Sequence, residues 1–210
     1  RPRKSKPGGG LLLIENLATQ LLYPEDRYYD MGIYQEQQFC FVEALPEKIK
    51  NKLTVRLHGA WRKLRWSDDK RWGERMPSVH LEVGVAPIQT LIEKSRLVVH
   101  SYDSTGTLES LASNIPTLCF WHVGLNDLPP SAKPYYELLR TAGILADSPE
   151  HAALLVGQYW DDIDGWWKSE KVQNARRLFC EQYARVEKHP IQKMKQLLVT
   201  AVSNKNNQTK

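Results

Sequence analysis

A run of small polar residues, residues 101–107 (Ser-Tyr-Asp-Ser-Thr-Gly-Thr), has the composition of a phosphate-binding loop. It follows the apolar, β-branched run Leu97–Val99, which predicts a buried strand, and it precedes a predicted helix, Thr107–Ser113. A loop of this kind presents unpaired backbone N–H groups and the positive end of a helix dipole. Its hydroxyl, carboxylate and glycine positions are the candidate phosphate ligands: Ser101, Asp103, Ser104, Thr105, Gly106 and Thr107.

Glu109 lies two residues into that helix from Thr107. An acidic residue so placed can reach back to a ribose hydroxyl, as in nucleotide-binding folds. The alternative is a first-turn carboxylate that only complements the helix dipole. The whole loop likewise has a structural alternative, since many βαβ units have polar caps and bind nothing.

Arg56 and His58 form the second candidate site, and we assign them the catalytic roles. They end the predicted strand Leu53–His58 and share one face at the two-residue period. A guanidinium and an imidazole together suit an anionic leaving group. The carboxyl ends of parallel strands lie at one edge of a sheet, so this pair and the polar loop could share a ligand. A local hydrogen-bond role for His58 is the alternative.

Predicted strands and helices alternate along the chain. The strands are 11–14, 53–58, 79–83, 97–99, 115–121 and 144–146, with a long loop at 16–30 and a polar surface excursion at 59–77. This order predicts an α/β fold, a Rossmann-like parallel sheet flanked by helices. We expect a flexible basic, Gly-rich tail at 1–10, one domain at 11–203 and a disordered tail at 204–210.

Composition narrows the function classes. The chain has 210 residues and a net charge of +5, without a Lys/Arg block interleaved with aromatics, so nucleic acid is not an expected partner. The charge allows peripheral association with an anionic membrane surface. Cys40, Cys119 and Cys180 are widely spaced and indicate reduced thiols in a cytoplasmic protein, without a metal site.

Three runs of the sequence carry a resemblance to a known family. VHSYDSTGTLESLASNIPTLCFW, SAKPYYELLRTAGIL and WDDIDGWW resemble the carboxyl-terminal half of bacterial transferases linked to surface polysaccharide, over about residues 11–185. That family is similar to GT-B glycosyltransferases, which have two Rossmann-like domains. The resemblance implies that the polar loop grips the phosphate of a nucleotide sugar, that Glu109 binds its ribose, and that no separate cofactor is needed.

The strand end Arg56-x-His58 also resembles a motif of transferases that use cytidine nucleotides, except that Gly59, not Pro, follows the histidine. The chain has room for one such domain, so the resemblance implies that an N-terminal GT-B domain is missing from it. The acceptor would be a glycan or a lipid-linked glycan such as O-antigen, met at the inner face of the cytoplasmic membrane. Asp103 is the nearest candidate base, but we expect it to cap the helix instead.

Three other functions remain open on the sequence. A nucleotide-sugar epimerase uses a related double Rossmann arrangement. A phosphotransferase acting on CDP-alcohols would release CMP. A non-catalytic interaction domain in polysaccharide assembly would bind no nucleotide and would use its Trp-rich segments for a partner.

Overall fold

A computed structural model describes residues 6, 8–16, 31–60, 67–121, 125, 128–186 and 188–207. Five parallel strands form one sheet in the order β3-β2-β1-β4-β5. The strands are β1 (Gly10–Ile14), β2 (Leu53–Arg56), β3 (His80–Glu82), β4 (Ser95–His100) and β5 (Thr117–Cys119). Helices flank this sheet, so the predicted Rossmann-like α/β fold is confirmed.

Ten α-helices occur in the described part of the chain. They are α1 (Met31–Ala44), α2 (Glu47–Lys50), α3 (Asp68–Arg75), α4 (Ile88–Lys94), α5 (Thr105–Ala112), α6 (Lys133–Thr141), α7 (Pro149–Tyr159), α8 (Ile163–Lys168), α9 (Glu170–Tyr183) and α10 (Pro190–Asn207), with a 3₁₀ turn at Trp160–Asp162 between α7 and α8.

The apolar strands separate two layers of helices. Leu11 and Leu13 of β1 pack in the core with α1, α3 and α7, whereas Leu12 and Ile14 pack with α4. This division follows from the pleat, which sends alternate side chains to opposite faces. Both faces of β1 are therefore buried, as its continuous apolar run predicts.

The strand register places one row of side chains at the carboxyl edge. Ile14 pairs with Arg56 on one side and with His100 on the other, and Arg56 pairs with Glu82. Paired residues of parallel strands point the same way, so this row faces the α4 and α5 layer. The row ends where the two loops after β2 and β4 begin.

Two segments differ from their predictions. The polar excursion 59–77 contains α3, and Trp72 of that helix is fully buried beside Phe39. The segment is so polar that its sequence did not predict a packed helix, although Trp72 packs into the core. Residues 144–146 form only a single bridge, between Leu145 and Cys119, instead of a strand.

Other predictions concern residues that the structure does not describe. The long loop after β1 lies outside the described residues from 17 to 30, and so do residues 61–66 and part of 122–133. Among the described residues, no helix has the length and apolar character needed to cross a membrane.

Candidate functional site

A pocket of about 440 Å³ opens at the carboxyl edge of the sheet. It lies between the ends of β1, β2 and β4 and the helices α4 and α5. Five residues that the sequence singled out line it together: Arg56, His58, Thr105, Gly106 and Glu109. The strand end and the polar loop, 40 or more residues apart in sequence, thus border one cavity.

Arg56 is held in place by Glu82 at the end of β3. The Nε atom of Arg56 lies 3.6 Å from the carboxylate of Glu82, and both side chains are mostly buried. The Nε atom of Arg56 is buried and has no hydrogen-bond partner among the described residues, and Arg56 lines the pocket. The fork that binds phosphate bidentately is therefore available for a ligand.

Glu82 is itself fixed by the loop that follows it. Its carboxylate accepts hydrogen bonds from the backbone N–H groups of Gly84, Val85 and Ala86, at 3.0, 2.7 and 2.8 Å. Burial alone would raise the pKa of Glu82, but these donors and Arg56 outweigh it, so the pKa is lowered. Glu82 is thus an ionised partner that orients Arg56, and sequence reasoning missed it because its role depends on strand pairing.

Two glycines, Gly59 and Gly84, lie at the point where the loops after β2 and β3 come together. Gly84 has a φ of +79°, and a Cβ there would lie 2.5 Å from the Cα of Gly59. The loops after β2 and β3 therefore touch backbone to backbone. A side chain at Gly84 would push apart the loops that carry His58 and Glu82, whereas a Cβ at Gly59 would lie 3.2 Å from the carbonyl oxygen of Gly84.

His58 offers a hydrogen-bond donor and not a cation. Its Nδ1 accepts the backbone N–H of Ala60 at 3.2 Å, which leaves the proton of the neutral ring on Nε2. Burial and then the positive charge of Arg56 lower the pKa of His58. A neutral imidazole with a fixed tautomer can donate one hydrogen bond to an anion in the pocket.

The N-terminus of α5 supplies backbone donors. Ser104 is the N-cap, and its hydroxyl accepts the N–H of Thr107. Thr105 and Gly106 are the first two helical residues, whose N–H groups have no partner within the helix. Since both residues line the pocket, these amides and the helix dipole can receive negative charge.

The other loop residues that the sequence proposed as ligands are turned away from the pocket. Ser101 is buried on the opposite face of the sheet, where its hydroxyl donates to the carbonyl of Ile14 and bonds the hydroxyl of Tyr34 at 2.8 Å. Thr107 is buried, and its hydroxyl donates to the carbonyl of Tyr102 at 3.4 Å. These two side chains stabilise the loop.

The expectation that Asp103 caps the helix is wrong, because Ser104 occupies that position. The carboxylate of Asp103 instead accepts the hydroxyl of Tyr136 at 2.7 Å, which ties the loop to α6. Partial burial raises the pKa of Asp103, and the bond from Tyr136 lowers it in part. The predicted N-cap was one residue too early, because Asp and Ser are both common N-cap residues and the sequence does not distinguish them.

His100, which the sequence left as a strand-end residue, also lines the pocket. It is 2% exposed, and its Nε2 bonds the hydroxyl of Ser110 at 2.9 Å. Burial lowers its pKa to about 4, so the ring is neutral. A Cβ at Gly106 would lie 3.3 Å from the ring, so glycine lets the start of α5 settle onto His100.

The remaining wall of the pocket comes from α4. Its contributions are two apolar residues and two polar ones: Ile88, Ile92, Gln89 and Glu93. With Ile14 and Ile115, the isoleucines make an apolar surface opposite the cationic and N–H donors. Such a pocket suits a ligand with an anionic part and a flat or apolar part. Nothing in the local sequence of α4 distinguishes these residues from ordinary helix positions.

A second polar cluster lies on the α1 and α3 face, and of its members only Glu15 also lines the pocket. Glu15 is 7% exposed and accepts the indole N–H of Trp72 at 3.0 Å, with Asp68 nearby. Burial raises the pKa of Glu15 to about 8, and the charge of Asp68 adds to this. Glu15 is therefore protonated at neutral pH. We call Glu15, Tyr34, Asp68, Trp72 and Ser101 the closed cluster.

The chain matches the model of the LIC12162 family transferases over residues 1–198. It belongs to that family. The match covers nearly the whole chain, and it makes the protein a transferase. No curated protein matches the chain significantly. The pocket described above is thus the candidate transferase site of a family member.

Proposed function

We propose that this chain is the donor-binding half of a glycosyltransferase that acts on a nucleotide sugar, with a surface-polysaccharide or O-antigen acceptor. The observation that carries the proposal is the pocket in which Arg56, His58 and the free amides of Thr105 and Gly106 converge. Three kinds of donor directed at one cavity suit the phosphate of an activated sugar. The family match to transferases supports group transfer over epimerisation.

The donor would lie with its diphosphate against the start of α5. Glu109 is exposed, lines the pocket and has no side-chain partner among the described residues, so its carboxylate is free to accept ribose hydroxyls. The isoleucine surface of α4 offers a place for the nucleobase. The likeness of Arg56-x-His58 to cytidine-nucleotide transferases favours cytosine.

Transfer breaks the bond between the anomeric carbon and the phosphate oxygen, and the electron pair stays on the phosphate. The acceptor hydroxyl oxygen forms the new bond, and its proton passes to a base that we place on a second, N-terminal domain of the GT-B kind. Arg56, the Nε2–H of His58 and the α5 amides stabilise the charge that develops on the leaving nucleotide. The proposed compartment is the cytoplasm, at the inner face of the membrane that carries the acceptor.

A calorimetric titration with CMP, CDP, UDP, GDP and inorganic pyrophosphate tests the proposal. We expect one nucleoside diphosphate to bind better than the others. Glu109→Ala should weaken that nucleotide but leave pyrophosphate unchanged, because the carboxylate contacts ribose and not phosphate. Glu74→Ala, an exposed carboxylate of α3 that does not line the pocket, is the matched control.

The result that would contradict the proposal is the absence of nucleotide binding at millimolar concentrations. Equal binding of all four nucleotides and pyrophosphate would reduce the site to a general anion site. Release of CMP from CDP-alcohols, without sugar transfer, would assign the same pocket to phosphotransfer.

A further inference from the structure

The helix α10 differs from the other long helices in that none of its residues from 190 to 200, whose side chains the structure describes, is buried. Every residue from Pro190 to Thr200 is exposed. The apolar side chains among them have exposed fractions of 60–72%: Ile191, Met194, Leu197, Leu198 and Val199. By contrast, α9 buries Val172, Ala175 and Phe179 against the domain.

Most of these apolar residues lie on one face of α10. Ile191, Met194 and Leu198 are spaced three and four residues apart, which is the spacing of one helix face, and Leu197 extends that face. At roughly 100° per residue, Lys193 lies about 40° beyond Leu197 and Lys195 about 40° beyond Ile191. One lysine therefore borders the apolar face on each side.

The charges of this region have a single sign. From residue 188 to 210 the sequence contains five lysines and no aspartate or glutamate. Lys193 and Lys195 form no ion pair with any described residue. A helix that covers a protein surface commonly has both signs of charge at its borders, as α9 has with Arg177 and Glu181.

We propose that α10 binds the surface of an anionic phospholipid bilayer, lying in the plane of the headgroups. The apolar face would enter the boundary between headgroups and acyl chains. The stems of Lys193 and Lys195 can run along that boundary while their ammonium groups reach lipid phosphates. This inference goes beyond the proposed function and does not depend on nucleotide binding.

Vesicle co-sedimentation of the purified chain tests the inference. We expect sedimentation with vesicles of phosphatidylglycerol and phosphatidylcholine to exceed that with pure phosphatidylcholine by roughly tenfold or more at low salt, because each lysine near an anionic surface adds about 1 kcal/mol. High salt should reduce the difference, since it screens the charges.

Two substitutions that add the same charge on different faces test the orientation. Leu198→Glu should abolish sedimentation with the anionic vesicles, whereas Gln196→Glu, on the opposite face, should retain most of it. Lys193→Gln combined with Lys195→Gln should lower binding to anionic vesicles without changing the weak binding to pure phosphatidylcholine. Circular dichroism of each variant checks that the helix is kept.

Three results would overturn the inference. One is equal binding to both kinds of vesicle, and another is unchanged binding of Leu198→Glu. The third is the absence of vesicle binding, whether or not light scattering shows self-association that Leu198→Glu removes. Self-association alone would assign the apolar face to a second copy of the chain.

Discussion

The two faces of the sheet at its carboxyl edge use similar residues for opposite purposes. On the α4 and α5 face, Arg56, His58 and Glu109 border an open pocket. On the α1 and α3 face, Glu15 and Ser101 belong to the closed cluster, where buried groups bond one another, although Glu15 also borders the pocket. Neighbouring positions in sequence thus serve binding on one side and loop stability on the other. Polarity at a strand end does not by itself indicate a ligand site.

We expect the largest effect at the closed cluster, where ionisation of Glu15 should make the free energy of unfolding depend on pH. The folded-state pKa of Glu15, about 8, lies above its ordinary value of 4.5. The stability linked to the protonated carboxyl is fully present below about pH 4.5 and is lost as the pH rises toward 8. Relative to Glu15→Gln, we expect the wild type to lose about 1.4 kcal/mol per pH unit across that window.

Urea unfolding of both proteins between about pH 4 and pH 9 measures this difference. Glutamine keeps an oxygen that can accept the indole N–H of Trp72, so the comparison isolates ionisation. A difference between the two proteins that stays constant with pH would show that Glu15 ionises freely, and the cluster would then not be closed.

We expect the next largest effect in the pocket on the α4 and α5 face, where substitution of Arg56 should weaken ligand binding. Arg56→Gln removes the free guanidinium fork but keeps a side chain of similar reach. A charge-assisted hydrogen bond contributes about 1.5–3 kcal/mol, so the affinity for the preferred nucleoside diphosphate should fall about tenfold to a hundredfold. Calorimetry on the variant measures the dissociation constant.

Arg75→Gln is the matched control for that change, because Arg75 is exposed on α3, pairs with Glu36 and Glu43, and does not line the pocket. Its effect on affinity should stay below about twofold. Equal losses in the two variants would indicate a general effect of net charge, and the pocket would lose its assigned ligand.

The sequence predicted the open face better than the closed one. The predicted strand 53–58 is two residues too long, because β2 ends at Arg56, yet Arg56 and His58 both line the pocket. The strand–loop–helix pattern indicated α5, which begins two residues earlier than predicted. Whether a loop side chain turns inward depends on partners distant in sequence, such as Tyr34 for Ser101 and Tyr136 for Asp103. The positions of His100 and Glu82 beside the pocket residues are set by the strand register, which cannot be read from a single sequence.

The smallest expected effect concerns Asp103, which lies in the loop between the two faces. Asp103→Ala removes the acceptor of the Tyr136 hydroxyl and should lower the free energy of unfolding by about 1–2 kcal/mol. Nucleotide affinity should change less than in Arg56→Gln. A double-mutant cycle with Tyr136→Phe measures the coupling between the two side chains. A coupling energy of zero between Asp103 and Tyr136, or a larger loss of nucleotide affinity than of stability, would indicate that Asp103 contacts the ligand.

The most direct test of the pocket is an NMR titration that compares CDP with cytidine on isotope-labelled protein. We expect CDP to shift the resonances of the backbone amide of Gly106 and the side-chain Nε–H of Arg56, and cytidine, which has no phosphates, to shift neither strongly. Shifts confined to other parts of the molecule, or the same shifts with cytidine, would contradict a phosphate site between β2 and α5.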